Sequence, residues 1–187
     1  MRQTVLSALM TALLLLAACG APAEMDELNA FRQTLEQAEE ITFTAELTAE
    51  TEGAEFSCTA AFRGTGEAAE LTLLAPALIE GVSARVTPEG TALLYGGATL
   101  ELGELTGSAA TPLTALPALV DALRAGHAER AWRERVDDTE LLAVSILRGE
   151  DETYTVWFGT DTTPVYAELS VDGRTVLRCG ITDWTAA

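Results

Sequence analysis

From Ile41 to Glu50 the chain alternates with a period of two: Ile41, Phe43, Ala45, Leu47 and Ala49 fall on one side, Thr42, Thr44, Glu46, Thr48 and Glu50 on the other. That is a strand with one buried and one solvated face, as antiparallel sheets carry. The same alternation, interrupted by turn-forming residues, predicts further strands near 55–63, up to 74, and at 82–87, 91–95, 99–102, 130–136, 141–148, 153–158, 165–171 and 175–184. Gly64-Thr65-Gly66, Pro88-Glu89-Gly90 and Asp172-Gly173 read as hairpin turns, and successive hairpins predict a meander.

Two stretches change to the helical period. Leu28, Phe31, Leu35 and Ala38 share a face over 25–40, and Leu113, Leu116, Leu119, Val120 and Leu123 do so over 112–125, with Gly126 as stop signal. About ten or eleven strands and two helices make a mainly β, α+β chain. A large twisted sheet with one apolar face must be covered, and the two helices are the cover. The predicted fold is a curved antiparallel sheet forming a half-open barrel closed over by both helices.

The first eighteen residues follow neither pattern. Arg2 is their only charge, and Val5 to Ala18 is almost wholly apolar, with four leucines from Leu13 to Leu16. The run is shorter than the roughly 18–20 residues of a spanning helix, so it reads as a secretory signal. Leu16, Ala17 and Ala18 directly before Cys19 resemble the lipobox of bacterial lipoproteins, in which the cysteine thiol receives a diacylglyceryl group and the signal is cut just before it. The expected organisation is a signal at 1–18, a lipidated tether at 19–26 and one domain at 27–187. The chain is then anchored outside the cytoplasm, since two or three acyl chains make a stable attachment.

Charge narrows the partners. The net charge is −18, and the signal holds one arginine and no acid, so the mature chain is one unit more negative still. Such a field repels nucleic acid and anionic head groups. All eleven basic residues are arginine, which excludes lysine nucleophiles and Schiff bases. Cys58 and Cys179 sit on apolar strand faces; they are either two buried free thiols or a disulfide tying an early strand to the last one.

Short pieces resemble the LolA/LolB-like superfamily of lipoprotein carriers and related envelope lipoproteins, the GerS-type germination lipoproteins among them. They are Leu73-Leu74-Ala75-Pro76 with Gly81; Thr153 to Phe158 followed by Asp161, Thr163, Pro164 and Glu168; Asp172-Gly173; and Ile181-Thr182-Asp183-Trp184. The resemblance covers about 27–184 and implies a half-barrel around an apolar space, in a group that includes both lipoprotein carriers and partners of peptidoglycan-modifying enzymes.

No catalytic pattern accompanies it. His127 is the only histidine and reads as a solvated residue at a helix end. Asp137-Asp138 and Glu150-Asp151-Glu152 read as loop tips without the spacing of a calcium loop. No nucleotide motif is present, and no metal, cofactor or enzymatic activity is expected. The expected role is binding. The lining of an apolar cavity for a lipid or acyl chain would come from Phe43, Leu47, Phe56, Phe62, Leu71, Leu73, Trp157 and Leu169, with Leu116 and Leu123 from the covering helix. The alternative is a filled core and an outer surface that docks an envelope protein through Trp132, Arg133, Arg135 and Trp184.

Overall fold

The computed structural model describes residues 23–51, 54–103, 111–149 and 151–187. The predicted signal, Cys19, the turn at 52–53 and Glu150 lie outside the described residues. Helix α1 spans Ala23–Gln37, so the last residues of the expected tether form its first turn, where Glu24 and Asp26 favour the positive end of the dipole. It buries Leu28, Phe31 and Leu35.

The strands are β1 (Glu40–Thr51), β2 (Ala54–Thr65), β3 (Ala69–Ala75), β4 (Ser83–Thr87), β5 (Gly90–Tyr95) and β6 (Ala98–Gly103), then helix α2 (Pro112–Ala125), then β7 (His127–Val136), β8 (Thr139–Arg148), β9 (Glu152–Phe158), β10 (Pro164–Val171) and β11 (Arg174–Ala186). These eleven strands of the described residues form one antiparallel sheet, ordered β6-β5-β4-β3-β2-β1-β11-β10-β9-β8-β7. The expected single meander is thus two meanders, β1–β6 and β7–β11, joined where the first strand pairs with the last. Because β6 and β7 are edges and do not pair with each other, the barrel stays open.

Alternation decides which side chains face the helices. On β9, Tyr154, Val156 and Phe158 are buried inside, which puts Trp157 outside. On β11 the period slips: Leu177, Cys179 and Ile181 point inward, then a bulge opposite Phe43 sets Trp184 and Ala186 inward as well. Asp183 lies in that bulge with φ 54°, a left-handed conformation that aspartate tolerates better than most residues. Trp184 thereby stacks on Phe43, with centroids 5.1 Å apart, and Phe43 stacks on Phe62 at 4.6 Å.

The helices are tied to each other and to the sheet by polar bonds. Arg32 of α1 donates from Nε to the carbonyl of Leu123 at 3.0 Å and from a terminal nitrogen to that of Gly126 at 2.6 Å, satisfying the C-terminal end of α2. Buried Tyr154 donates to the carbonyl of Ala115 at 3.0 Å. Gly126 is extended (φ −64°), so its requirement is space: a Cβ there would stand 2.4 Å from the Ile146 side chain.

Candidate ligand-binding site

The inner face carries one apolar row across six strands. Phe43 pairs with Phe62, Phe62 with Leu71, Leu71 with Ala84, Ala84 with Leu93, and Leu93 with Leu100. Phe43, Phe62, Leu71 and Ala84 are at most 3 % exposed, Leu93 is half-buried, and Leu100 is 59 % exposed. The cover ends while the apolar row continues. Tyr95 and Leu102 flank this row on the inner side of β5 and β6 and are also exposed, as is Leu78 at the tip of the β3–β4 loop.

Of the expected lining, Phe43, Leu47, Phe62, Leu71, Leu116, Leu123 and Leu169 are buried together in one core, with Leu73 half-buried against it. Phe56 keeps the inward parity but stands at the rim, 43 % exposed. Trp157 is the correction: it lies on the outer face, donates its indole N–H to Glu134 and packs against Tyr166. Its backbone neighbours Val156 and Phe158 take the inner positions, so parity forbids it the interior.

The expected docking patch is also corrected, because its four residues do not share a face. Trp132 is on the outer side under the Arg130 guanidinium, 4.4 Å from the ring centroid. Arg133 faces inward and pairs with Glu27 of α1. Arg135, two residues on, is exposed near the end of β7, and Trp184 is in the aromatic cluster described above.

Cys58 and Cys179 are free and buried. Each is the register partner of Leu47, one on either side, so β1 separates them. Two strand spacings of about 4.8 Å place their Cα atoms beyond the reach of a disulfide, roughly 7 Å. Burial pushes the Cys179 thiol up to about 12 and Cys58 in the same direction, away from reactive thiolate. His127 is exposed at the start of β7, and among the described residues no group of three or more His, Cys, Asp or Glu side chains could hold a metal ion. No helix of the described residues is long and apolar enough to cross a membrane.

Where the covered and open parts meet, α2 leaves a groove of about 310 Å³ against the inner face of β2–β4. Phe62, Ala69, Val86, Pro117 and Val120 supply apolar wall, while Asp121, Arg124 and Glu67 supply charge. The Arg124 Nε is buried without a hydrogen-bond partner among the described residues. Sequence reasoning missed this groove, although Pro117, Val120, Asp121 and Arg124 recur at helical spacing and so share one side of α2.

No protein-family model matches the chain, and no curated protein does. Solved structures do. The lipoprotein LppX of Mycobacterium tuberculosis aligns at 14% identity with a TM-score of 0.50, over 88% of this chain and 96% of its own. A DUF1329 family protein from Desulfovibrio piger aligns at 9% identity and 0.50, over 88% and 92%. A LolA superfamily protein from Nitrosomonas europaea aligns at 12% identity and 0.49, over 87% and 93%. At such identities the likeness is one of fold. The chain shares the fold of these structures, the mycobacterial lipoprotein LppX among them.

Proposed function

We propose that this chain is an envelope lipoprotein, anchored outside the cytoplasm through an acylated Cys19, that binds a lipid, acyl chain or other apolar molecule on the inner face of its half-barrel. It is a binder and not an enzyme. The observation that carries the reading is the apolar row from buried Phe43 to exposed Leu100, on which a ligand would take the place that the helices leave empty. Covering a leucine or tyrosine side chain is worth about 1.5–3 kcal/mol when complete, so Leu93, Tyr95, Leu100 and Leu102 suffice for useful affinity.

The test is titration of the full-length chain with the neutral fluorescent probe N-phenyl-1-naphthylamine. Binding that falls at least tenfold in the folded double variant Leu93→Asp/Leu100→Asp is expected; equal binding by both proteins overturns the reading. The anchor is checked separately: Cys19→Ser should move the protein from the membrane fraction to the soluble one, and unchanged membrane retention would remove the anchor from the proposal.

A second reading, docking of an envelope protein, is favoured by one observation. On the outer face Trp132, Ala143, Trp157 and Tyr166 lie side by side across β7–β10, and Ala143 is fully buried there. Capture of a protein partner that Trp132→Ala abolishes, with probe binding intact, would support that reading over the first.

A further inference from the structure

The groove beside α2 bears on what the ligand's head must be. Five of the ten arginines among the described residues have evident work: Arg32 caps α2, Arg63 pairs with Glu40, Arg133 with Glu27, Arg148 with Glu152, and Arg178 with Glu50 and Glu168. Arg124 differs. It sits in the last turn of α2, where a cation suits the helix dipole, but the carbonyls there already receive Arg32. Its own Nε is buried and has no hydrogen-bond partner among the described residues, in a chain with far more acids than bases. A buried donor left without an acceptor destabilises the fold, more so when it is charged, and an anionic oxygen in the groove would relieve that.

A simple anion does not fit the rest of the lining. Asp121 and Glu67 border the same groove, and burial holds the Asp121 carboxyl above its ordinary value despite the nearby Arg124 and Arg148. Both acids are exposed at the rim of the groove, where a carboxylate gains from a cation brought close to it. The groove therefore presents one cation at a buried atom and two acids around it, which is the complement of a group carrying one negative and one positive charge. Its apolar wall is continuous with the open face: Val86 lies two residues from Ala84 on the same side of β4, and Ala84 pairs with Leu93.

We propose that this groove seats the head of a zwitterionic amphiphile, a phosphodiester bearing an ammonium, with its phosphate on Arg124, its ammonium at Asp121 and Glu67, and its chain running out along Leu93 and Leu100. The inference rests on the binding reading above and names the ligand class for it. The volume of about 310 Å³ suits a head and the root of a chain, near the low end of small-molecule pockets, and leaves the rest of the chain to the open face.

The experiment titrates the full-length chain, by calorimetry below micellar concentrations, with lysophosphatidylethanolamine, with lysophosphatidylglycerol of the same chain, and with chain-free glycerophosphoethanolamine. The expected result is tightest binding of lysophosphatidylethanolamine, weakened about 10- to 100-fold by Arg124→Gln, as loss of a charge-assisted contact predicts. Asp121→Asn should narrow its advantage over lysophosphatidylglycerol. Arg124→Lys is the second variant, keeping the charge and removing Nε; it should bind between wild type and Arg124→Gln.

Equal wild-type affinity for the two lysolipids overturns the zwitterion. Binding unaffected by either Arg124 variant overturns the site while leaving an apolar ligand on the open face. Head-only binding as tight as that of the lysolipid overturns the path of the chain. If neither the lysolipids nor N-phenyl-1-naphthylamine bind, the binding reading falls along with the site.

Discussion

The inner faces of β1 and of β5–β6 are written in the same alternating code, yet one is core and the other is surface. Ile41, Phe43, Ala45 and Leu47 are at most 3 % exposed, whereas Tyr95 and Leu100 are about three-fifths exposed. Their apolarity is comparable, and what differs is the roof. Helix α1 packs Phe31 edge-on against Phe158 at 5.0 Å, and α2 receives the Tyr154 hydroxyl, so both helices cover the β1 and β7–β11 side. On β5 Thr91 is still buried and Leu93 half-buried, whereas every residue of β6 is exposed. Period-two patterning therefore specifies which face is apolar, and the reach of two short helices specifies how much of it becomes core.

The sharpest way to break the comparison is to truncate one leucine in each part. Leu169 is fully buried, and Leu169→Ala should lower unfolding free energy by about 2–5 kcal/mol in denaturant titrations, through lost transfer energy plus a cavity. A cost under 1 kcal/mol would mean that the covered part is loosely packed. Alkali separates the two parts without mutation. Burial raises the Cys179 thiol to about 12 and pushes the Tyr154 hydroxyl up as well, while the unfolded chain ionises in the ordinary range. Above that range the unfolded state has released protons that the native state still holds, so stability falls as pH rises. It is full below about pH 8 and falls by up to about 1.4 kcal/mol per pH unit for each group above its ordinary value. Cys179→Ala should flatten that loss; an unchanged slope would show that Cys179 is not what couples the core to pH.

Next in size is the tie between the helices. Arg32→Gln removes a guanidinium from the carbonyls of Leu123 and Gly126, at an expected cost of about 1–2 kcal/mol for a partly solvated charged donor. The diagnostic readout is hydrogen exchange: amides of α2 and of β8 beneath it should lose protection while those of β5 and β6 stay as they were. Uniform loss across the sheet would mean that cover and sheet open as one unit.

Much of the fold was legible because eleven strands announce themselves by alternation and two helices by a period of three and four. The pairing of β1 with β11 was not legible, since nothing in either strand names a partner more than a hundred residues away. Trp157 shows a different kind of error: Tyr154, Val156 and Phe158 already claimed the inner positions, and the large indole was read for its apolarity against the parity of its neighbours. Trp184 reversed for a reason that parity cannot show, a bulge at Asp183 that inserts one residue and turns the side chain inward. The groove was invisible because Arg124 gains meaning only when β2–β4 and α2 are brought together, which no local window contains.

The smallest expected effect is the most telling for the open part. Leu100→Ser removes an apolar side chain that is 59 % exposed from an edge strand whose residues are all exposed. Little water is excluded there in the free protein, so the change in stability should stay within about 0.5 kcal/mol. If the open face is a binding surface, the same substitution weakens the apolar probe several-fold, because the leucine is buried only when the ligand lies on it. A mutation silent in denaturant and audible in binding is the signature of surface kept apolar for a ligand. Should Leu100→Ser instead cost 2 kcal/mol or more, the leucine is already covered in solution, and the open half of the barrel would be a second core rather than a site.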